Sequence, residues 1–366
     1  MSYLVLDKLT VRFRRETVSE DLSLSAERGE TIAVFGPSGA GKTVLLRLIA
    51  GVFDPDAGDI RLDGRSLLHL PPEARDVGMA FQNFALYPHL DAFRNIASPL
   101  RAQGLGGEEV RRRVRAVAEL LKIDHVLSHL PKALSNGQKQ RTSLARSLVR
   151  EPKLLLLDDP LRNVDAKLRY EMRLELPRVL KQAGVTVLYV TQDYKEAMAL
   201  GDRVAVLTGR GITQLDTPAR IYSDPVSSEV AQLFGDPTIN LLPARPAAAG
   251  AGAAVEIAGA RFPLPGLPAA ALGRDCLIGI RPEHIHVSME RSDGALPAEL
   301  DAVTPLNVRS VLLLKTGDGG ELLASCPERE AERFPRGHRA VWIGIEAAKL
   351  LVFDAESGAR LGGAVP

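Results

Sequence analysis

The chain of 366 residues has few cysteines, few aromatics and almost no net charge. Its two cysteines, Cys276 and Cys326, both lie in the last third without metal-ligand spacing. They read as free thiols, not as a disulfide framework or a zinc site. Lysine and arginine number 46 against 45 acidic residues, a formal net charge of +1. That balance argues against a dedicated nucleic-acid binder, which carries a basic excess. The longest apolar runs fall far short of a membrane span. The start, Met1-Ser2-Tyr3-Leu4-Val5-Leu6-Asp7, lacks the basic region and apolar core of a secretory leader. These absences set the expectation of a soluble chain that reaches a membrane only through partners. The length suggests two or three domains.

What is present is sharper. Gly36-Pro37-Ser38-Gly39-Ala40-Gly41-Lys42-Thr43 fits the phosphate-loop pattern G-x-x-x-x-G-K-[ST] at every fixed position. An apolar run, 31–35, precedes it and a helix former, 44–50, follows it, which is the strand–turn–helix context the motif needs. Glycines let backbone N–H groups close around phosphate oxygens, and the helix N-terminus adds partial positive charge. Lys42 is expected to reach the β- and γ-phosphates of a nucleotide, and Thr43 to ligate Mg²⁺.

The first 235 residues alternate strand-like and helix-like segments. Strands are expected at 31–35, 77–81, 154–158, 185–190 and 204–207. Helices are expected at 42–50, 108–121, 138–149, 166–182 and 194–199. This is an α/β pattern with a largely parallel sheet. From about 88 to 152 the pattern is helical, which predicts a helical insertion. Within it Arg111-Arg112-Arg113-Val114-Arg115 reads as a solvated face, with Val110, Val114, Val117 and Leu121 on the buried stripe. After Pro237 the composition shifts, and 243–268 is rich in Ala, Pro and Gly. Short β-rich runs at 276–280, 285–287, 308–314, 321–324 and 340–345 predict a small β-barrel over 236–366.

Leu154-Leu155-Leu156-Leu157-Asp158 is an apolar strand ending on an acid, which places Asp158 on the metal side and Asp159 nearest an attacking water. Leu134-Ser135-Asn136-Gly137-Gln138 opens a helix whose N–H groups could hold a phosphate. Taken alone, Ser135 reads as a plain helix N-cap.

With these motifs in order, the chain resembles the nucleotide-binding subunit of an ATP-binding-cassette (ABC) transporter over residues 1–235. Leu134–Gln138 resembles the family signature LSGGQ, with Asn136 in place of the first glycine. Gln82, in Phe81-Gln82-Asn83-Phe84, matches the glutamine loop, which the resemblance implies senses Mg²⁺ and contacts membrane subunits. Leu161-Arg162-Asn163-Val164-Asp165 resembles the D-loop, with Arg162 where serine is usual. Phe13 sits where the family stacks a ring on adenine. Tyr87-Pro88-His89-Leu90, Ile239-Asn240-Leu241-Leu242-Pro243 and Ile278-Gly279-Ile280-Arg281-Pro282-Glu283-His284 resemble segments of the maltose and glycerol-3-phosphate importer branch. That branch implies a phosphate-loop ABC ATPase domain followed by a small OB-like, TOBE-type β-barrel. It also implies ATP and Mg²⁺, two transmembrane permease subunits, a second ATP-binding subunit and, indirectly, an extracytoplasmic solute-binding protein. The expected place is the cytoplasmic face of the inner membrane, peripherally. His284 and His286 are read as solvated or structurally satisfied.

Two departures touch the hydrolytic residues. Asp159 stands where the family has glutamate, and Gln192, in Val190-Thr191-Gln192-Asp193, where it has a histidine. Aspartate is one methylene shorter, so its carboxylate falls back by roughly 1 Å, a displacement that costs on the order of 10²-fold in rate. Gln192 can donate a hydrogen bond but cannot carry charge. The expectation is a chain that binds ATP on its own loop and turns it over slowly, beside a non-identical partner whose ATP would face Ser135 and Gly137. The alternatives are a fully active homodimer and a regulatory subunit that does not hydrolyse.

Overall fold

The structure, a computed structural model, describes residues 2–13, 16–250, 252–292, 294–334 and 339–363, without the side chains at 13, 16 and 363. The chain divides into two compact units, Met1–Pro218 and Ala219–Pro366.

The first unit opens with an antiparallel pair, β1 (Leu4–Phe13) and β2 (Glu16–Ala26). β3 (Thr31–Phe35) runs into the glycine-rich loop and α1 (Lys42–Ala50). β4 (Ala57–Leu62) and β5 (Arg65–Ser66) return to the first pair and complete a sheet ordered β2-β1-β4-β5. After β6 (Val77–Ala80) come three helices, α2 (Ala92–Ala102), α3 (Gly107–Leu120) and α4 (Asn136–Leu148). Then follow β7 (Leu154–Asp158), α5 (Ala166–Ala183), β8 (Thr186–Thr191), α6 (Tyr194–Leu200), β9 (Arg203–Thr208) and β10 (Gly211–Asp216). The second sheet is ordered β10-β9-β3-β8-β7-β6 and is parallel except at its β10–β9 edge.

β3, β7 and β8 are buried at every residue, as strands covered on both faces must be. Side-chain alternation divides them between two cores. Leu155 and Leu157 face the three-helix side with Ile96, Val114 and Leu144, while Leu154 and Leu156 face α1 and the antiparallel sheet with Leu46, Ile49 and Leu6. The helical insertion is as the pattern predicts, with Val110, Val114, Val117 and Leu121 buried. Two arginines of its charge run, Arg112 and Arg113, pair with Glu109. The carboxyl ends of neighbouring β3, β8 and β7 fall side by side, which is where open parallel sheets place their ligands.

The second unit begins with two short helices, α7 (Pro218–Ser223) and α8 (Ser228–Leu233). Its strands are β11 (Asn240–Ala244), β12 (Ala247–Ala249), β13 (Gly252–Ile257), β14 (Ala260–Leu264), β15 (Cys276–Ile280), β16 (Ile285–Ser288), β17 (Leu296–Leu306), β18 (Arg309–Thr316), β19 (Glu321–Pro327), β20 (Arg339–Ile345), β21 (Leu351–Asp354) and β22 (Arg360–Gly363). They form antiparallel sheets ordered β11-β15-β21-β22, β12-β13-β14 and β16-β20-β17-β18-β19. One apolar core, including Val255, Ile278, Leu312 and Ile343, joins all three.

By compactness, residues 219–235 group with this unit. Arg281, 3% exposed, donates to the carbonyls of Tyr222, Ala231 and Phe234 and lies over the Tyr222 ring, fastening both short helices to the loop after β15. His286 Nε2 lies 2.7 Å from Glu346 Oε1 and His284 Nδ1 3.5 Å from Oε2, so both histidines are structurally satisfied. Cys276 and Cys326 are free thiols.

Candidate active site

The glycine-rich loop leaves β3 and enters α1 through Gly41, the helix N-cap, at φ 88°. Only glycine takes that conformation without strain. Gly36 is needed for a different reason, since a Cβ there would collide with the carbonyl oxygen of Leu207 on β9. Pro37, Ser38 and Gly39 are exposed, and Ala40 and Gly41 are half-buried. Lys42 is 6% exposed, and its Nζ donates to the carbonyls of Gly36 and Pro37, each at 2.7 Å. The loop thus curls around the ammonium group, and burial draws the lysine below its usual pKa.

Thr43 Oγ1 donates to Asp158 Oδ1 at 3.0 Å, joining the start of α1 to the end of β7. A hydroxyl and a carboxylate that close are hard oxygen donors suited to Mg²⁺, which takes one or two protein ligands beside water and substrate phosphates. Among the described residues no cluster of three or more His, Cys, Asp or Glu side chains offers an all-protein metal cage.

Asp159 is as buried as Asp158, each 8% exposed. Burial raises both above the ordinary aspartate range, against the Thr43 hydrogen bond at Asp158 and the charge of Arg162 at Asp159. Asp159 sits at φ 45°, its N–H bonded to Val190 O at 2.9 Å. This left-handed turn directs the chain away from β7 while its backbone stays bonded to the end of β8. Gln192, just past β8, accepts from Ser38 Oγ at 2.8 Å through Oε1. Six of the expected residues therefore meet in one cradle: Ser38, Lys42, Thr43, Asp158, Asp159 and Gln192.

Gln82, half-buried just after β6, is tied in through its backbone. Its carbonyl accepts from Asn163 Nδ2 at 2.9 Å. Asp165 is the N-cap of α5 and accepts from Leu168 N at 2.9 Å. Ser135 caps α4 in a reciprocal capping box with Gln138, and Asn136 is exposed on the first turn. Gly137 packs against α5, where a Cβ would lie 2.5 Å from Leu168 Cδ2. No hydrogen bond among the described residues links Ser135, Asn136, Gly137 or Gln138 to the cradle. The ring of Phe13 lies outside the described side chains.

Sequence reasoning missed the supports. Glu196 on α6, 2% exposed, accepts from Tyr189 Oη at 2.8 Å and Thr191 Oγ1 at 3.0 Å. It anchors the strand end that carries Gln192, and burial raises its carboxyl above the usual range. Arg173 pairs with Asp193 at 2.8 Å on the other side of Gln192. Arg169 donates to the carbonyls of Leu161, Arg162 and Val164 and so fixes the loop after Asp159. A tyrosine in a buried strand and a glutamate seven residues past it were the only sequence signals, and neither points to the other without the fold.

Comparison with known proteins identifies the domains and the family. The model of the ABC transporter family matches residues 19–162, the MalK OB fold domain matches 235–285, and the TOBE domain matches 278–353. The sn-glycerol-3-phosphate import ATP-binding protein UgpC of Cereibacter sphaeroides is 40% identical, covering 91% of this chain and 92% of its own. The protein of that name from Chromohalobacter salexigens is 41% identical over 99% of this chain and 96% of its own. That of Escherichia coli K12 is 37% identical over 99% and 100%.

Proposed function

Because the chain belongs to the ABC transporter family, as an import ATPase of the sugar and glycerol-3-phosphate type, we propose that it serves as one half of an unequal ATPase pair. Its own cradle holds MgATP and turns it over slowly. The observation that carries this reading is the combination of a complete phosphate cradle with Asp159 and Gln192 at its edge.

The chain's residues divide the work. Backbone N–H groups of Gly36–Thr43 and the N-terminus of α1 bind the phosphates, with Lys42 released from the Gly36 and Pro37 carbonyls to reach them. Thr43 and Asp158 would hold Mg²⁺, which when bound neutralises charge on the transferring phosphate. Asp159 would orient the attacking water and accept its proton, from a carboxylate set back by one methylene. Gln192 would donate a hydrogen bond to the terminal phosphate without adding charge, and Glu196 keeps it placed. Most catalysis of phosphoryl transfer is positioning and charge stabilisation, so a shortened acid and a neutral switch residue both slow it.

In this reading Ser135 and Gly137, apart from the cradle in one chain, complete the site of a second ATP-binding subunit whose acids are intact. Closure of the pair on ATP would be passed to two permease subunits through the Gln82 loop and the helical insertion. No helix among the described residues is long and apolar enough to cross a membrane, which fits a peripheral subunit on the cytoplasmic face. The solute, delivered by a solute-binding protein, would be a sugar, polyol or glycerol derivative, in keeping with relatives named for sn-glycerol-3-phosphate import. The test is an ATPase assay of the chain alone and co-purified with a neighbouring ATP-binding subunit. The expected result is near-background turnover alone and robust turnover in the pair. Strong turnover by the chain alone would favour the homodimer.

A further inference from the structure

We propose that Arg162 is the residue by which this chain prefers ATP to ADP, its guanidinium binding the terminal phosphate beside Asp159. The proposal rests on the cradle being an ATP site. Arg162 lies one turn past Asp159, and its N–H bonds the Asp159 carbonyl at 3.3 Å. Its backbone is immobilised from both sides. Leu161 and Val164 are buried, Arg169 clasps the carbonyls of 161, 162 and 164, and Asn163 ties the loop to Gln82.

Its side chain is by contrast uncommitted. It is 51% exposed, and its nearest charge contact is NH1 to Asp159 Oδ2 at 3.6 Å. Charge-assisted hydrogen bonds are about 2.7–2.9 Å long, so this pair is a loose one. The guanidinium makes no hydrogen bond among the described residues, which leaves its planar fork for another acceptor. Its charge also acts on the Lys42 ammonium, after burial and the opposing charges of Asp159 and Asp158.

The charge balance says what that acceptor should be. Two buried acids, Asp158 and Asp159, stand at the end of the cradle where a γ-phosphate would arrive, and Gln192 brings no charge to that edge. A γ-phosphate entering beside Asp159 meets repulsion that Lys42 and Mg²⁺, centred on the Thr43 and Asp158 side, offset only in part, and a guanidinium matches phosphate oxygens two at a time. ADP ends one phosphate short of this edge. Arg162 should therefore act on ATP and leave ADP almost untouched.

The experiment is calorimetric titration of the full chain with the non-hydrolysable analogue AMP-PNP and with ADP, each with Mg²⁺. A thermal melt of every variant confirms folding. Arg162→Ser is expected to weaken AMP-PNP binding by about 10-fold, the scale of one hydrogen bond between charged groups, and ADP by less than about 2-fold. Arg162→Lys, which keeps the charge but loses the fork, should fall between. An equal loss for both nucleotides, or no loss for either, overturns the proposal while leaving the cradle intact as a nucleotide site. If the unaltered chain binds neither nucleotide, the ATP-site reading itself fails.

Discussion

The floor of the nucleotide cradle and its rim are built on different terms. The floor is set largely by backbone: Gly36 pressed against Leu207, Gly41 turned left-handed and Lys42 wrapped by two carbonyls, with one side-chain bond from Thr43 to Asp158. Every sequence requirement there is met, because each has a steric or bonding reason. The rim is side chain: Asp159 and Arg162 from one turn after β7, and Gln192 from just past β8. All three depart from the family pattern, and the surrounding fold accommodates each of them.

The largest effect expected is at the floor. Lys42→Ala should lower ATP affinity by on the order of 10²-fold, the loss of two charge-assisted hydrogen bonds, as read by calorimetry. Unchanged affinity would break the contrast at once. Restoring the rim comes next. Asp159→Glu combined with Gln192→His should raise turnover by up to about 10²-fold and shift ATP affinity only a few-fold, as steady-state and binding assays would show. No gain in rate would mean the departures are not what slows the site.

A smaller effect tests the support behind the rim. Glu196→Ala strands the buried hydroxyls of Tyr189 and Thr191, and should cost about 2 kcal/mol of stability, seen as a lower urea midpoint. The smallest effect lies in the second unit. The hydrogen bond from His286 holds the Glu346 carboxyl below the usual range. Its contribution is therefore present above the ordinary glutamate pKa of about 4.3 and lost as pH falls through the depressed value. The pair is exposed, so Glu346→Gln should change stability by at most about 0.5 kcal/mol, and only above that pH. A larger loss would mark this contact as structural in its own right.

The parallel sheet was legible because its strands are uniform apolar runs ending in recognisable turns. β3, β7 and α1 fall where the pattern puts them, and the other expected strands of this sheet and the helices around it differ by one or two residues at their ends, while its edge strand β10 was not anticipated. The opening antiparallel pair, β1 and β2, was not anticipated, because charged residues such as Asp7, Lys8, Arg12 and Asp21 interrupt its alternation. The stretch 243–268 conceals β13 and β14, whose alanines, glycine and proline carry weak β preference; pairing and burial of Val255, Ile257 and Phe262 override it. At the site, the cradle residues were named from motifs alone. The supports, Glu196, Arg169 and Arg173, were not, because each acts across a contact that only folding creates. Arg162 was visible as a departure, but its loose pairing with Asp159 was not.

The most direct measurement is the fate of nucleotide bound to the purified chain. The protein is loaded with radiolabelled MgATP, freed of excess and sampled over minutes. The label is expected to be recovered mostly as ATP, held by Gly36–Thr43 and barely hydrolysed. Recovery as ADP within seconds, at the roughly 1–10³ s⁻¹ usual for enzymes, would contradict it.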